Sequence, residues 1–162
     1  MSGKVSDNLG RASGLSKVVS AAGGKILQVV TDTSSTEVAT TSTTYTDSGL
    51  DVDITPSASS SLIYVLASMV TFQAGGYKSY LTLYRDSTNL GLASGVNAMC
   101  ARSGQDATGE TKYEASFSFL DSPSSTSALT YSVYGRAQTS GRELGMIKGS
   151  VNSIVAMEID GS

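Results

Sequence analysis

Apolar and polar residues alternate through most of this chain. Leu50, Val52 and Ile54 are interleaved with Asp51, Asp53 and Thr55, and Phe117 and Phe119 with Ser116 and Ser118. Leu129, Tyr131 and Val133 flank Thr130 and Ser132, while Val155, Met157 and Ile159 flank Ala156 and Glu158. Successive side chains of a strand point to opposite faces, so each run predicts a strand with one buried and one wetter side. KILQVVT at 25–31 and EVATTSTTYT at 37–46 predict two more. Turn-forming clusters separate the runs: residues 33–35, Ser48-Gly49, residues 56–60, Gly75-Gly76, Ser103-Gly104, residues 122–124 and Ser140-Gly141.

Two runs break the alternation. LIYVLASMVTF at 62–72 is apolar at nearly every position, and YLTLY at 80–84 puts Tyr80 and Tyr84 on one face with Leu81 and Leu83 on the other. A strand that is apolar on both sides needs cover on both sides. One side meets the core; the other meets a loop, the leading segment or another subunit. Tyr64, Tyr80 and Tyr84 are therefore candidate subunit-interface residues. About eight to ten strands, with no dependable helix, predict an all-β antiparallel sandwich of jelly-roll-like form.

Residues 1–23 stand apart. They mix Gly, Ser and Ala with spaced apolar residues and are too polar to form a core alone, so they read as an extended N-terminal anchoring arm preceding a β domain over 24–162. Ser13 is placed to cap a short helical turn over 17–21. The arm's contact residues are Lys4, Val5, Leu9, Arg11, Leu15, Lys17 and Val18.

Composition sharpens the picture. At 162 residues the chain suits one domain with a tail. Only 15% of residues are charged, and 29 Ser and 17 Thr supply the missing polarity. The net charge of −3 is uneven: residues 1–25 hold four basic side chains against Asp7, leaving an acidic body. An acidic body argues against nucleic acid as a partner, and the basic start suits an acidic protein surface. No run approaches the ~20 apolar residues of a membrane span. The first 25 residues lack the apolar stretch of a secretory signal, so assembly inside a cell is expected. Cys100, the single cysteine, has no intramolecular disulfide partner and reads as a small buried thiol.

Catalytic motifs are sparse. Without histidine there is no Ser–His or Cys–His nucleophile and no imidazole metal ligand. No lysine has a serine three residues before it, and neither the nucleophile-elbow nor the phosphate-loop spacing occurs. Asp47, Asp51 and Asp53 offer hard oxygen ligands for Ca²⁺, but Asp51 and Asp53 equally form the solvent side of an alternating strand. Glu37, Glu110, Glu114, Glu143 and Glu158 are dispersed, and nothing singles out a glycosidase pair. The eight tyrosines suit amphipathic packing at the core's margin, an interface or a sugar-stacking platform. No enzyme, cofactor or metal is expected.

Several stretches carry a resemblance. VSDNLGRASGL at 5–15, GGKILQVV at 23–30, TSTTYTDSGLDVDITPSASSSLIYVLAS at 41–68, FSFLDSPSSTSALTYSVYGR at 117–136 and IVAMEID at 154–160 are similar to small virion proteins of tailed phages, marine ones especially. The resemblance covers most of the chain but contains no catalytic motif. It implies a jelly-roll-like domain on a virion, assembled in the host cytoplasm, with a homotrimer favoured among oligomers. The function expected is a capsid decoration (cement) protein whose arm binds the major capsid protein or another virion protein and staples the shell. The alternative is a tail-fibre or head-fibre adhesin module that binds host glycans. A polysaccharide-cleaving enzyme is the weaker third class.

Overall fold

Period-two patterning produces eleven strands in the computed structural model, which describes residues 24–74, 77–91, 98–103, 110–147 and 149–162. The long ones are β1 (Ile26–Ser34), β3 (Thr46–Ile54), β4 (Leu62–Ala74), β5 (Lys78–Arg85), β8 (Glu110–Asp121), β9 (Leu129–Ala137) and β11 (Asn152–Ile159). Between them lie the short β2 (Val38–Thr40), β6 (Thr88–Asn89), β7 (Cys100–Ser103) and β10 (Leu144–Met146). All pairings are antiparallel.

The first sheet runs β1-β11-β4-β8, with β10 and then β2 beside the far half of β4; the second runs β3-β9-β5, with β6 and β7 both along the free side of β5. The long pairings nest. β1 pairs with β11, β3 with β9, β4 with β8 and β5 with β7, each pair enclosing the next along the chain. A ribbon folded back on itself and wound into two facing sheets gives this order, which is the jelly roll. The expected all-β sandwich is thus present. The arm at 1–23, its contact residues and the helical turn at 17–21 lie outside the described residues, as do Gly75-Gly76 and Gly104.

Alternation fills the space between the sheets. Leu50, Val52 and Ile54 of β3, Leu81 and Leu83 of β5, and Tyr131 and Val133 of β9 face Ile63, Val65, Ala67 and Met69 of β4 and Ile154 and Ala156 of β11; all are buried. One polar clamp crosses the gap. Asp121 Oδ2 on β8 accepts from Arg85 Nη1 and from the Tyr131 hydroxyl, each at 2.7 Å. Burial pushes the Tyr131 phenol well up, and the neighbouring Asp121 carboxylate adds to it.

Three local expectations are corrected. The strand expected over 37–46 is only β2; beyond it the Thr40 and Ser42 hydroxyls accept from the backbone N–H two residues on and bend the chain before β3. Ser48-Gly49 is not a turn between strands but a bulge inside β3. The register with β9 slips between Asp47 and Asp51, Gly49 has φ +71°, and its N–H donates to Asp47 Oδ1. In β11 the faces are reversed: Asn152, Ile154, Ala156 and Glu158 are buried, whereas Val155, Met157 and Ile159 lie on the outside.

Candidate functional site

The reversal in β11 defines the outer face of the first sheet. Strand register aligns Val29, Met157, Tyr64 and Leu120 in one row across β1, β11, β4 and β8. A parallel row holds Thr31, Val155, Leu66 and Ser118, and the next is all hydroxyl: Thr33, Ser153, Ser68 and Ser116. On the opposite flank Ile26 pairs with Ile159 and Ile159 with Leu62. The face therefore grades from apolar to hydroxylated along the strands. Val29 is 54% exposed, Leu120 51% and Leu66 38%. Three inter-strand steps of about 4.8 Å each give the apolar row a length of about 14 Å. Among the described residues nothing covers it. Such a contiguous apolar strip is the usual mark of an interaction surface.

Behind the strip, Glu158 is 1% exposed. Its Oε1 accepts from the Ser57 N–H at 2.7 Å and from the Ser57 and Ser61 hydroxyls at 2.6 Å each, while Gln28 Nε2 donates to Oε2 at 2.6 Å. Burial alone pushes this carboxyl up, but the four neutral donors outweigh it and hold the group at about 2 instead of 4.5. The cluster ties β1, β11 and the loop joining the two sheets into one unit.

The outer face of the second sheet is aromatic. Tyr84 stacks on Tyr134 with ring centroids 4.1 Å apart, and Tyr45 meets Tyr84 edge-on at 6.2 Å. The Arg136 guanidinium lies over Tyr80 at 4.5 Å and over Tyr45 at 5.3 Å. Asp47 pairs with Tyr134 across the β3–β9 ladder. Burial, then the charge of Asp47, pushes the Tyr134 phenol up. Asp51 is raised by burial and by the carboxylates of Asp47, Asp32 and Asp53.

Of the three interface tyrosines read from the sequence, Tyr64 lies on the first sheet's outer face and Tyr80 and Tyr84 on the second's. They belong to two surfaces on opposite sides of the sandwich. Tyr80 is 8% exposed beneath Arg136, and Tyr84 is half-buried. Sequence reasoning missed Val29 on β1, Leu120 on β8 and Leu66, of which only Leu66 lay in the doubly apolar run of β4, and it missed Arg136, which carries no local signal.

Asp51 and Asp53 alternate with buried Leu50, Val52 and Ile54, and Asp53 accepts from the Thr130 hydroxyl at 2.6 Å. Among the described residues no three acidic or thiol side chains converge as metal ligands. Cys100 is half-buried and packs against the core. A pocket of about 190 Å³ beside Ser68, Glu114 and Asn152 is smaller than the ~300 Å³ at which small-molecule sites begin. No protein-family model matches the chain, and no curated protein does.

Proposed function

We propose that this protein is a virion structural component that decorates a capsid shell, applying the outer face of its first sheet to a shell subunit while residues 1–23 extend across the neighbours. The observation that carries the reading is the uncovered apolar strip through Val29, Met157, Tyr64, Leu66 and Leu120. A rigid sandwich supplies a flat, pre-organised contact, and preorganisation keeps the entropic cost of docking low. The leading segment adds spaced apolar residues and the basic Lys4, Arg11 and Lys17, which suit acidic shell loops. Two modest contacts on one chain bind far more tightly together than apart.

The test uses particles that carry the protein. Leu66→Asp combined with Leu120→Asp should weaken attachment without unfolding the domain, and deletion of residues 1–23 should weaken it independently. Particles stripped of the protein should burst at lower temperature or osmotic shock. Stripped particles as resistant as intact ones overturn the cement role.

A second reading, a glycan-binding fibre module, draws on the Tyr45, Tyr84, Tyr134 and Arg136 cluster, because aromatic faces stack on the C–H faces of sugars. Selective glycan binding that Tyr84→Ala abolishes would favour it over the shell reading.

A further inference from the structure

The four principal edges of the sandwich differ in how they are protected. An unpaired edge strand is a template for adding another strand, and proteins blunt such edges with bulges, charges, prolines or short length. β1 has a register irregularity between Ile26 and Gln28 and carries Asp32. β3 has the Gly49 bulge and the three aspartates Asp47, Asp51 and Asp53. The edge beyond β5 is broken into β6 and β7, of two and four residues. β8 has no bulge, no proline and no shortening, and its charged residues, Glu110, Lys112, Glu114 and Asp121, all lie toward its two ends. It runs for 12 residues, about twice the usual strand length, and pairs with β4 in unbroken register from Asp121 to Glu110. Among the described residues no strand occupies its other side. From Ala115 to Leu120 it reads ASFSFL, with neither charge nor proline. Phe117 and Phe119 point into the sandwich but stay only half-buried at the open margin, while Leu120 ends the apolar row on the outside.

We infer that β8 is a homodimer edge: it pairs antiparallel with β8 of a second copy across a two-fold axis, giving one continuous sheet of eight principal strands. The uncharged middle of β8, residues 115–119, is self-complementary for this. A two-fold axis normal to the sheet keeps inner faces with inner and outer with outer, provided residues of like parity stand opposite. Pairing about Phe117 does so. It sets Phe117 against Phe117, Ala115 against Phe119 and Ser116 against Ser118, small against large or like against like. The two half-buried phenylalanines then close both cores, and the apolar strips merge across the new junction. Residues 1–23 are a poor alternative occupant, since Gly10, Gly14 and Gly23 interrupt them and they contain no period-two run. The contact is isologous, so the assembly unit it specifies is a dimer, not the trimer implied by the resemblance. It does not rest on the shell reading, because sedimentation of the isolated protein tests it without particles.

Two full-length variants test it. Ser116→Lys with Ser118→Lys changes only exposed side chains and places lysines opposite lysines across the two-fold axis. Sedimentation at tens-of-micromolar concentration should show a dimer for the parent and a monomer for this variant, with unchanged far-UV circular dichroism. Ser116→Cys with Ser118→Cys, in a Cys100→Ser background, should form a covalent dimer on mild oxidation. A parent that sediments as a monomer overturns the inference; if the alternate β8 amides that point away from β4 nevertheless resist hydrogen exchange, another segment of the same chain covers the edge. An oligomer that survives the lysines and yields no cross-link overturns it equally, and assigns the contact to another surface.

Discussion

Glu158 is a charge that the fold keeps without a counter-ion among its hydrogen-bond partners. Its donors are two serine hydroxyls, one backbone N–H and one glutamine amide, and their combined effect exceeds the burial that opposes ionisation. Because the folded carboxyl is held at about 2 and the free group sits at 4.5, its stabilisation is complete above pH 4.5. It is lost as the pH falls from there through about 2. Glu158→Gln should cost about 2 kcal/mol at neutral pH. It should also flatten the decline in stability between pH 4.5 and 2, measured as urea midpoints across that range. Tyr131→Phe, which removes a donor to buried Asp121, should cost about 1 kcal/mol in the same assay, with Arg85 still holding the carboxylate. Neither site was legible in the sequence. Glu158 occupies the polar slot of an alternating strand, where the pattern assigns it to solvent. Donors far away in the chain, the serines at 57 and 61 and the amide of Gln28, make its burial tolerable.

Most of the long strands were legible from several periods of alternation, and β4 and β5 as apolar runs bounded by turn clusters. β6, β7 and β10 were not, because two to four residues contain at most two periods, and β2 was read only as part of a longer strand over 37–46. Their existence depends on partners. β10 is held because Gly145 stands opposite Phe72, and the aromatic ring lies over the space a side chain would fill. That arrangement also explains why Phe72, on the outward side of β4 by parity, is only 2% exposed; an aromatic ring laid across a neighbouring glycine buries both. Gly145→Ala would drive its methyl group into the Phe72 ring. The cost expected is about 1–3 kcal/mol, read as a lower urea midpoint, with Phe72→Leu in the same chain recovering part of it. The candidate surface was half legible. The doubly apolar run at 62–72 announced that β4 had something to cover outside the core, but alternation alone assigned Val155 and Met157 to the wrong side.

At the scale of the whole molecule, the two outer faces have different chemistry: one apolar and grading into hydroxyls, the other aromatic, with Arg136 lying over the Tyr80 and Tyr45 rings. Replacing Leu66 and Leu120 together by serine should leave the thermal midpoint nearly unchanged, because both side chains are already exposed. The same change should sharply reduce fluorescence of a dye that reports exposed apolar surface. An unaltered dye signal would mean that the strip is covered in solution. The winding order has a further consequence for biosynthesis. β1, the first strand of the domain, leaves the ribosome long before its partner β11, the last, and the Glu158 bonds to Gln28, Ser57 and Ser61 wait on that same strand. Until then β4 lacks its neighbour over residues 62–68, and its apolar edge stands open in a nascent chain. Closure of this domain therefore waits for its last strand, and until β11 emerges the open margin of β4 is where a neighbouring nascent chain would pair.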